Sequence, residues 1–186
     1  MRYLWILALW VLGAPVYGQS KCYVADAGTG TLTFEAITDG KAIQGQFERF
    51  NVDLCLEDND LMTSTIEVSV DTASANNKSR DRDQTLKGES FFWVSAFPKA
   101  HWSSGGWRAF EGPWQAICEG TLTLRDVTQS QSVTMSLEVR GDETWLVGEA
   151  DIARLDFNVG LGEFEDTEFI ANQVKLQFDL KLRSRE

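Results

Sequence analysis

Hydrophobic and polar residues alternate along much of the chain, and this alternation limits the fold more than any other feature. Between positions 174 and 182 every second residue is apolar, and the residues between them are charged or polar. Successive side chains of a β-strand point to opposite faces, so the pattern predicts a strand with one buried and one wetted face. Similar alternation recurs at 32–36, 43–54, 66–70, 122–124, 133–139 and 146–152. Antiparallel strands of this kind are typical of a sandwich or a closed barrel.

Two details predict how these strands turn and bend. Asp39-Gly40 separates two alternating segments by two residues, which is the composition and spacing of a tight hairpin, and a second turn is expected around Asp126. Apolar side chains occupy one parity up to Phe47 and the opposite parity from Phe50 onwards. A change of parity within one strand indicates a β-bulge, which bends a sheet towards closure.

One internal segment, residues 78–92, does not alternate. It is rich in charged residues, contains no proline and ends in the apolar cluster Phe91-Phe92-Trp93. A short helix or an ordered loop is expected there. No internal repeat or linker interrupts the 186 residues, and a single domain of this size buries about 70% of its unfolded surface. The sequence therefore predicts one domain.

The first eighteen residues have the organisation of a signal peptide. Met1-Arg2 is a short positive region, residues 3–13 are apolar and uncharged, and Val16-Tyr17-Gly18 places small residues where a signal peptidase reads them. A membrane anchor is the alternative, but this run is about half of the roughly 20 residues needed to cross a bilayer. Cleavage of residues 1–18 would leave 19–186 as an exported, soluble barrel domain in the periplasm.

The charge of the chain excludes one class of partner. Lys and Arg number 17 against 28 Asp and Glu, a net charge of -11, and removal of Arg2 leaves 16 against 28, a net charge of -12. Nucleic-acid binding needs a basic surface that neutralises phosphates, so no nucleic acid is expected as a partner. The same charge opposes lasting adsorption to an anionic membrane, although transient membrane contact remains open.

Three cysteines remain after the signal peptide, in a compartment where disulfides form. Cys118 shares its parity with neighbouring inward apolar residues, so we expect it to be a buried free thiol. Cys55 shares its parity with Asp53 near a strand end, which makes a Cys22–Cys55 bridge the favoured pairing. Lipidation of Cys22 is the alternative, but the residues before it lack the required leucine and small residues.

The sequence offers little for catalysis or metal binding. His101 is the only histidine, and there is no H-x-H, H-E-x-x-H, C-x-x-C or G-x-S-x-G motif. The glycine-containing segments 103–106 and 160–162 are interpreted as turns, and Glu163 with Glu165-Asp166 as a solvated acidic loop. We therefore expect no metal, no catalytic residue and no enzymatic activity. The eleven Phe and seven Trp instead favour an apolar core or an apolar ligand.

Five motifs, in order along residues 22–182, carry a resemblance to a known family. They are G-Q-F-E-R-F at 45–50, R-D-Q-T-L at 82–86 followed by E-S-F-F at 89–92, F-P-K-A at 97–100, G-T-L-T-L-R-D-V-T at 120–128, and F-N-V-G-L-G at 157–162 with Asp166-Thr167. Together they resemble the YceI family of exported, lipocalin-like barrels. The chain departs from that pattern at Thr29-Gly30-Thr31, where the family often has His-Ser, and at Asp126, which replaces a turn glycine.

The resemblance implies an all-β, eight-stranded antiparallel lipocalin-like barrel with a short helix near its mouth. It implies no cofactor other than a bound polyisoprenoid lipid, such as an isoprenoid quinone. Phe91, Phe92 and Trp93 would close the mouth, and Arg82 and Asp83 would serve either a lipid head group or the structure. The remaining side chains expected to line the lumen are Phe34, Phe47, Val68, Leu122, Leu137, Ile152 and Phe178.

Two functional hypotheses follow from the resemblance. The first is periplasmic binding, transport or storage of a polyisoprenoid lipid in the barrel lumen. The second is a non-catalytic structural or accessory module for a membrane redox protein such as a cytochrome, with the lumen filled by its own side chains. An apolar cavity of several hundred Å³ would separate the first hypothesis from the second.

Overall fold

The computed structural model describes residues 20–58, 60–109 and 115–185; the predicted signal peptide, residues 1–18, lies outside them. Apart from three short 3₁₀ turns, the elements are eleven strands and one helix. The strands are β1 (Ser20–Asp26), β2 (Gly30–Thr38), β3 (Lys41–Phe47), β4 (Phe50–Glu57), β5 (Asp60–Asp71), β6 (Ala75–Asn76), β7 (Lys99–Ala109), β8 (Gln115–Leu124), β9 (Val127–Arg140), β10 (Glu143–Ala153) and β11 (Ile170–Ser184). The helix is α1 (Arg80–Lys87), within the segment expected to be helix or loop.

The strands form one closed antiparallel barrel. The first three barrel strands are bent, and each consists of two successive segments: β1 with β2, β3 with β4, and β5 with β6. The first pairs with the second through β1–β4 and β2–β3, and the second pairs with the third through β4–β5 and β3–β6. The other five follow in chain order from β7 to β11. β11 closes the ring, because it pairs with β2 along its first part and with β1 near its end. The predicted eight-stranded, lipocalin-like barrel with a short helix is confirmed.

Two of the bends lie side by side and hydrogen-bond to each other. The parity change expected between Phe47 and Phe50 occurs at a break between β3 and β4. There the Arg49 N–H donates to the Ser74 hydroxyl over 3.1 Å, and the Asp71 N–H donates to the Arg49 carbonyl over 3.0 Å. The bends of two neighbouring strands therefore satisfy each other's backbone groups where the regular ladder stops.

Two expectations about the strands are wrong. Residues 103–106 are not a turn but part of β7, where a register shift between Ser104 and Gly106 marks a bulge. The Ser104 hydroxyl accepts the Ile66 N–H over 2.8 Å, so the bulge is paired across the sheet rather than free to turn. Val139, expected to face inwards, is 79% exposed. It is the second-last residue of β9, beside the β9–β10 hairpin. At this height a side chain on the inward side of the strand lies beyond the core.

One half of the barrel interior is solid. It lies towards the end that holds the β9–β10 hairpin and the connection from β4 to β5. Burial raises the pKa of the Cys118 thiol to about 11, so this free cysteine stays neutral at physiological pH, as an inert core residue. The residues that fill this half are buried and mostly aliphatic: Leu54, Leu56, Leu61, Ala116 and Cys118.

The disulfide joins the first barrel strand to the second. Cys22 of β1 lies directly opposite Cys55 of β4 in the antiparallel register, and their sulfur atoms are bonded. This is the pairing favoured from strand parity. The bridge lies near the start of the described chain, so it holds β1 in the barrel at a point where β1 pairs with β11 through only two residues.

The double variant Cys22→Ala/Cys55→Ala should lose about 3–4 kcal/mol of unfolding free energy, since the bridge closes a loop with a sequence separation of 33. Urea unfolding followed by tryptophan fluorescence measures this loss. Reductant should reproduce it in the wild-type protein and leave the double variant unchanged. A loss below about 1 kcal/mol would contradict the expectation.

Candidate functional site

The other half of the barrel is hollow. It holds a cavity of about 220 Å³, counted as the space in which the centre of a water molecule fits. One water needs only about 10–15 Å³ by this measure, so the cavity is large for an internal void. Its wall is almost entirely apolar, and most of the side chains that form it are aliphatic or aromatic. The cavity lies at the end of the barrel that carries α1 and the long connection between β10 and β11.

The structure brings together eight of the ten side chains expected to line the lumen. They come from strands spread around the barrel and from the segment after α1: Phe34, Phe47, Val68, Phe91, Phe92, Leu122, Ile152 and Phe178. Leu137 does not line the cavity; it is half-buried and packs against the core. Trp93 does not line it either. Its backbone has a φ of 45°, and its ring packs edge-on against Phe97 at 5.5 Å.

Several lining residues were not expected from the sequence. Leu86 of α1 and Val159 of the β10–β11 connection close the cavity from outside the strands, and Trp102 of β7 lines its wall. Alternation along β7 could have identified Trp102, had residues 103–106 not been interpreted as a turn. Leu86 and Val159 lie in segments without alternation, so period-two analysis gives no signal for them.

Three aromatic rings lie against the cavity wall instead of projecting across it, because each rests on a glycine of the adjacent strand. A methyl group on Gly45 would lie 2.3 Å from Cζ of Phe34, and one on Gly148 would lie 2.4 Å from Cζ of Phe178. Gly120 is covered in the same way by Trp102. An aromatic ring that covers a glycine on a neighbouring strand packs that bare backbone. The glycines thus provide the space that keeps the rings out of the middle of the lumen.

Two segments meet over the mouth of the cavity, and we call them the mouth loops: residues 88–98 and residues 154–169. The Ser90 carbonyl accepts the N–H groups of Gly160 and Leu161 over 2.6 and 2.9 Å. The rings of Phe91 and Phe164 lie 4.9 Å apart. Backbone and side-chain contacts therefore hold the two loops together above the lumen.

Arg154 organises the second mouth loop from inside. It is 3% exposed, and it lies beside Gly160, whose φ is 80° and where a methyl group would meet the guanidinium at 2.2 Å. Burial lowers its pKa from the usual value for arginine. The guanidinium donates five hydrogen bonds of 2.7–3.1 Å, all to backbone carbonyls: those of Val159, Gly160, Phe164, Ile170 and Ala171. A buried cation thus satisfies carbonyls that the irregular loop leaves without ladder partners.

Arg125 joins the two mouth loops. It occupies the turn between β8 and β9 with a φ of 55°. Its Nη1 donates to the carbonyls of Phe91, over 3.0 Å, and Asn158. The guanidinium carbon also lies 5.7 Å from the ring centre of Trp93 and 5.9 Å from that of Phe97, within cation–π range. Arg125 lies within the sequence motif at 120–128, from which only a turn around Asp126 is expected.

The two charged residues proposed for a head group lie apart from the lumen. Arg82 is exposed on α1 and is not among the residues that form the cavity wall. The Asp83 carboxylate accepts the Asn77 N–H over 2.8 Å, which holds the segment before α1 against the helix. Asp83 therefore has a structural role in this arrangement.

The site is suited to binding an apolar molecule. The described part of the chain contains no cluster of His, Cys, Asp or Glu that could hold a metal ion. The polar Nε1 of Trp102, the largest side chain of the wall, donates to the Gln131 carbonyl over 3.0 Å and is thereby satisfied.

Among the described residues, no helix is long and apolar enough to span a bilayer.

Comparison with known sequences gives a consistent result. The family model described as the YceI-like domain matches residues 23–182. A UPF0312 protein of Shewanella putrefaciens is 25% identical over 155 residues, which cover 78% of this chain and 81% of the relative. A UPF0312 protein of Vibrio vulnificus is 25% identical over 177 residues, which cover 89% and 93%.

Solved structures share the fold. BcnA of Burkholderia cenocepacia superposes with a TM-score of 0.78 at 21% identity, covering 86% of this chain and 99% of BcnA. A polyisoprenoid binding domain from Saccharophagus degradans superposes with a TM-score of 0.68 at 12% identity, covering 88% and 98%. At these identities the likeness establishes a common architecture.

Gly45→Ala should force the Phe34 ring away from the wall and lower the unfolding free energy by about 1–3 kcal/mol, as overpacking does. The three atoms nearest to the new methyl group, all within 3 Å, belong to that ring, so Phe34→Leu in the same chain should recover most of the loss. Gly106→Ala is the control, because no atom lies within 4 Å of its methyl position. Chemical unfolding measures all three, and equal losses in the two single variants would contradict the explanation.

Arg154→Met should lower the unfolding free energy by about 3–5 kcal/mol, because several buried carbonyls lose their donor. Hydrogen exchange should accelerate at least tenfold at the Gly160 and Leu161 amides. Arg108→Met is the matched control: its side chain is 64% exposed and pairs with Glu119, so we expect less than about 1 kcal/mol. Unchanged exchange in Arg154→Met would show that the loop is held by other contacts.

Proposed function

Since the chain belongs to the YceI-like domain family, we propose that it binds the apolar chain of a polyisoprenoid lipid in the lumen of its barrel. The observation that carries this proposal is the apolar cavity in the half of the barrel beneath the mouth loops. The polyisoprenoid binding domain from Saccharophagus degradans, which has the same architecture, supports the choice of ligand class. Isoprenoid quinones are members of that class.

An energetic argument supports occupancy of the lumen. A dry cavity that does not collapse costs about 24 cal/mol per Å³, so 220 Å³ corresponds to about 5 kcal/mol. The whole stability of a domain is only about 5–15 kcal/mol. A cavity of this size favours a natural occupant over a permanently empty lumen. At 220 Å³ the cavity is smaller than the several hundred Å³ that would separate the two hypotheses, yet it is not the filled lumen that the accessory-module hypothesis requires.

The size of the cavity indicates how a long chain would enter. Typical ligand sites measure about 300–1,000 Å³, and this lumen is smaller. The far half of the barrel is solid, so a long prenyl chain gains room only by displacing the mouth loops. In the proposed loaded state, the chain lies in the lumen and its end emerges beside α1.

The relevant reference state for such a ligand is a membrane. At roughly 0.8 kcal/mol per CH₂, a forty-carbon tail gains about 30 kcal/mol on leaving water, beyond the practical affinity ceiling of about 20 kcal/mol. In a bilayer the tail is already dry, so the free energy of its transfer into the barrel is close to zero. Exchange with a membrane is therefore reversible, as a carrier or a store requires.

We further propose a periplasmic location with transient membrane contact. The signal-peptide pattern at residues 1–18 and the Cys22–Cys55 bridge, which is stable in an oxidising compartment, support this location. A membrane cytochrome that uses quinone is a compatible partner. The apolar wall and the lack of a metal-binding cluster in the described ranges support binding rather than catalysis.

Protein purified from its native host should contain a stoichiometric prenyl lipid, measurable by organic extraction and mass spectrometry. Ala36→Trp should abolish this lipid, because Ala36 lines the cavity and an indole there would fill it. Ala27→Trp, at an exposed position in the turn after β1, should retain the lipid. Clean extracts from folded wild-type protein, or equal lipid in both variants, would refute the proposal.

A further inference from the structure

Large hydrophobic side chains are exposed at both ends of the barrel. Among the described residues they are Ile37, 39% exposed, Phe169, 47% exposed, and Val139, 79% exposed. Ile37 and Phe169 belong to the end that contains the mouth, whereas Val139 stands beside the β9–β10 hairpin at the solid end. The molecule thus offers two exposed apolar residues beside the lumen and one far from it.

Ile37 lies near the end of β2, and Phe169 is the turn residue directly before the neighbouring strand β11. Thr38 of β2 is the register partner of Ile170 of β11, and the Asp39 N–H donates to the Phe169 carbonyl over 2.8 Å. Ile37 and Phe169 each lie one residue from this pair and are therefore diagonal neighbours. Long side chains at diagonal positions are within reach of each other. We call these two residues the rim pair.

The rim pair borders the cavity from outside, because adjacent residues of a strand point to opposite faces and both of its residues are exposed. Ala36 precedes Ile37 and Ile170 follows Phe169, and both of these neighbours line the lumen. Because the other half of the barrel is filled, an apolar ligand enters and leaves at this end. Each CH₂ that crosses water on that path costs about 0.8 kcal/mol, so a rim that touches the lipid surface lowers the barrier.

The charge near the rim pair selects the kind of surface. The second mouth loop carries four exposed carboxylates just before Phe169, those of Glu163, Glu165, Asp166 and Glu168. Such a loop is repelled by the negative potential of an anionic membrane. The rim pair itself is uncharged and does not require a charged surface. An uncharged lipid surface therefore suits both the rim pair and the four carboxylates beside it.

We infer that the rim pair is the surface through which the protein docks on an electrically neutral lipid surface to exchange its ligand. This inference rests on the proposed function and names the side chains that make the membrane contact. Ile37 and Phe169 enter the interfacial region, and the mouth loops part above the lumen while the four carboxylates before Phe169 stay in water.

Transfer of a prenyl chain that carries a nitrobenzoxadiazole fluorophore, from loaded protein to phosphatidylcholine vesicles, tests the inference. Ile37→Ser/Phe169→Ser should slow transfer at least fivefold, while binding of the same probe in vesicle-free buffer stays within twofold of wild type. Val139→Ser is the matched control, since it removes the most exposed apolar side chain from the opposite end, and its transfer rate should not change. Phosphatidylglycerol vesicles should accept the probe more slowly from wild-type protein, and added salt should reduce that difference.

The outcomes separate this inference from the proposed function. Wild-type protein that binds no probe in buffer would overturn both. Intact binding with equal transfer by wild type and the double variant would overturn the docking surface alone, as would equal slowing by Val139→Ser. Intact binding with no transfer to vesicles would also overturn it, because the acceptor would then be something other than a lipid surface.

Discussion

Closure of the hydrogen-bonded ring is the constraint on which the rest of the structure depends. β11 is long enough to pair with two successive segments, β2 and β1, so the sheet has no free edge between its last and first strands. An eight-stranded barrel has an interior that side chains just fill or that holds one small ligand. Closure therefore creates an apolar interior but does not decide whether it is solid. Here both outcomes occur in one barrel, with aliphatic packing in one half and a cavity in the other.

The hollow half depends on residues that withdraw volume from the lumen. Rings that rest on Gly45, Gly120 and Gly148 lie along the wall, so large aromatic side chains contribute apolar surface without blocking the space. The cover over this space is built differently. The mouth loops contain no strand, and Arg125 and Arg154 bind their backbone carbonyls. Hydrogen bonds from these two arginines thus take the place of strand pairing in the cover over the lumen.

Sequence reasoning succeeded where a property is local to one strand and was wrong where it depends on position in the assembled barrel. Alternation located the strands, and parity placed six lining side chains on the correct face, while Phe91 and Phe92 were expected from the family resemblance. Parity alone could not tell Leu137, which is half-buried against the core, from the lining residue Leu122, because packing in the assembled barrel decides this. It also put Val139 inside, although β9 continues beyond the core there. The bulge within 103–106 was missed because glycine and serine also mark turns, and the partner that distinguishes the two, Ile66, is about forty residues away.

The sequence by itself determined the class of fold, the two faces of its strands, the favoured disulfide partners and the family resemblance. These follow from period-two patterns and short motifs, which act over a few residues. Only the tertiary structure decided that half of the lumen is open and that Trp93 lies on Arg125 rather than in the cavity. It also assigned Arg154 to carbonyls of the second mouth loop and of the first two residues of β11. The physical reason is that cavities and buried cation contacts arise between segments distant in the chain, and no local pattern records which segments closure will bring together.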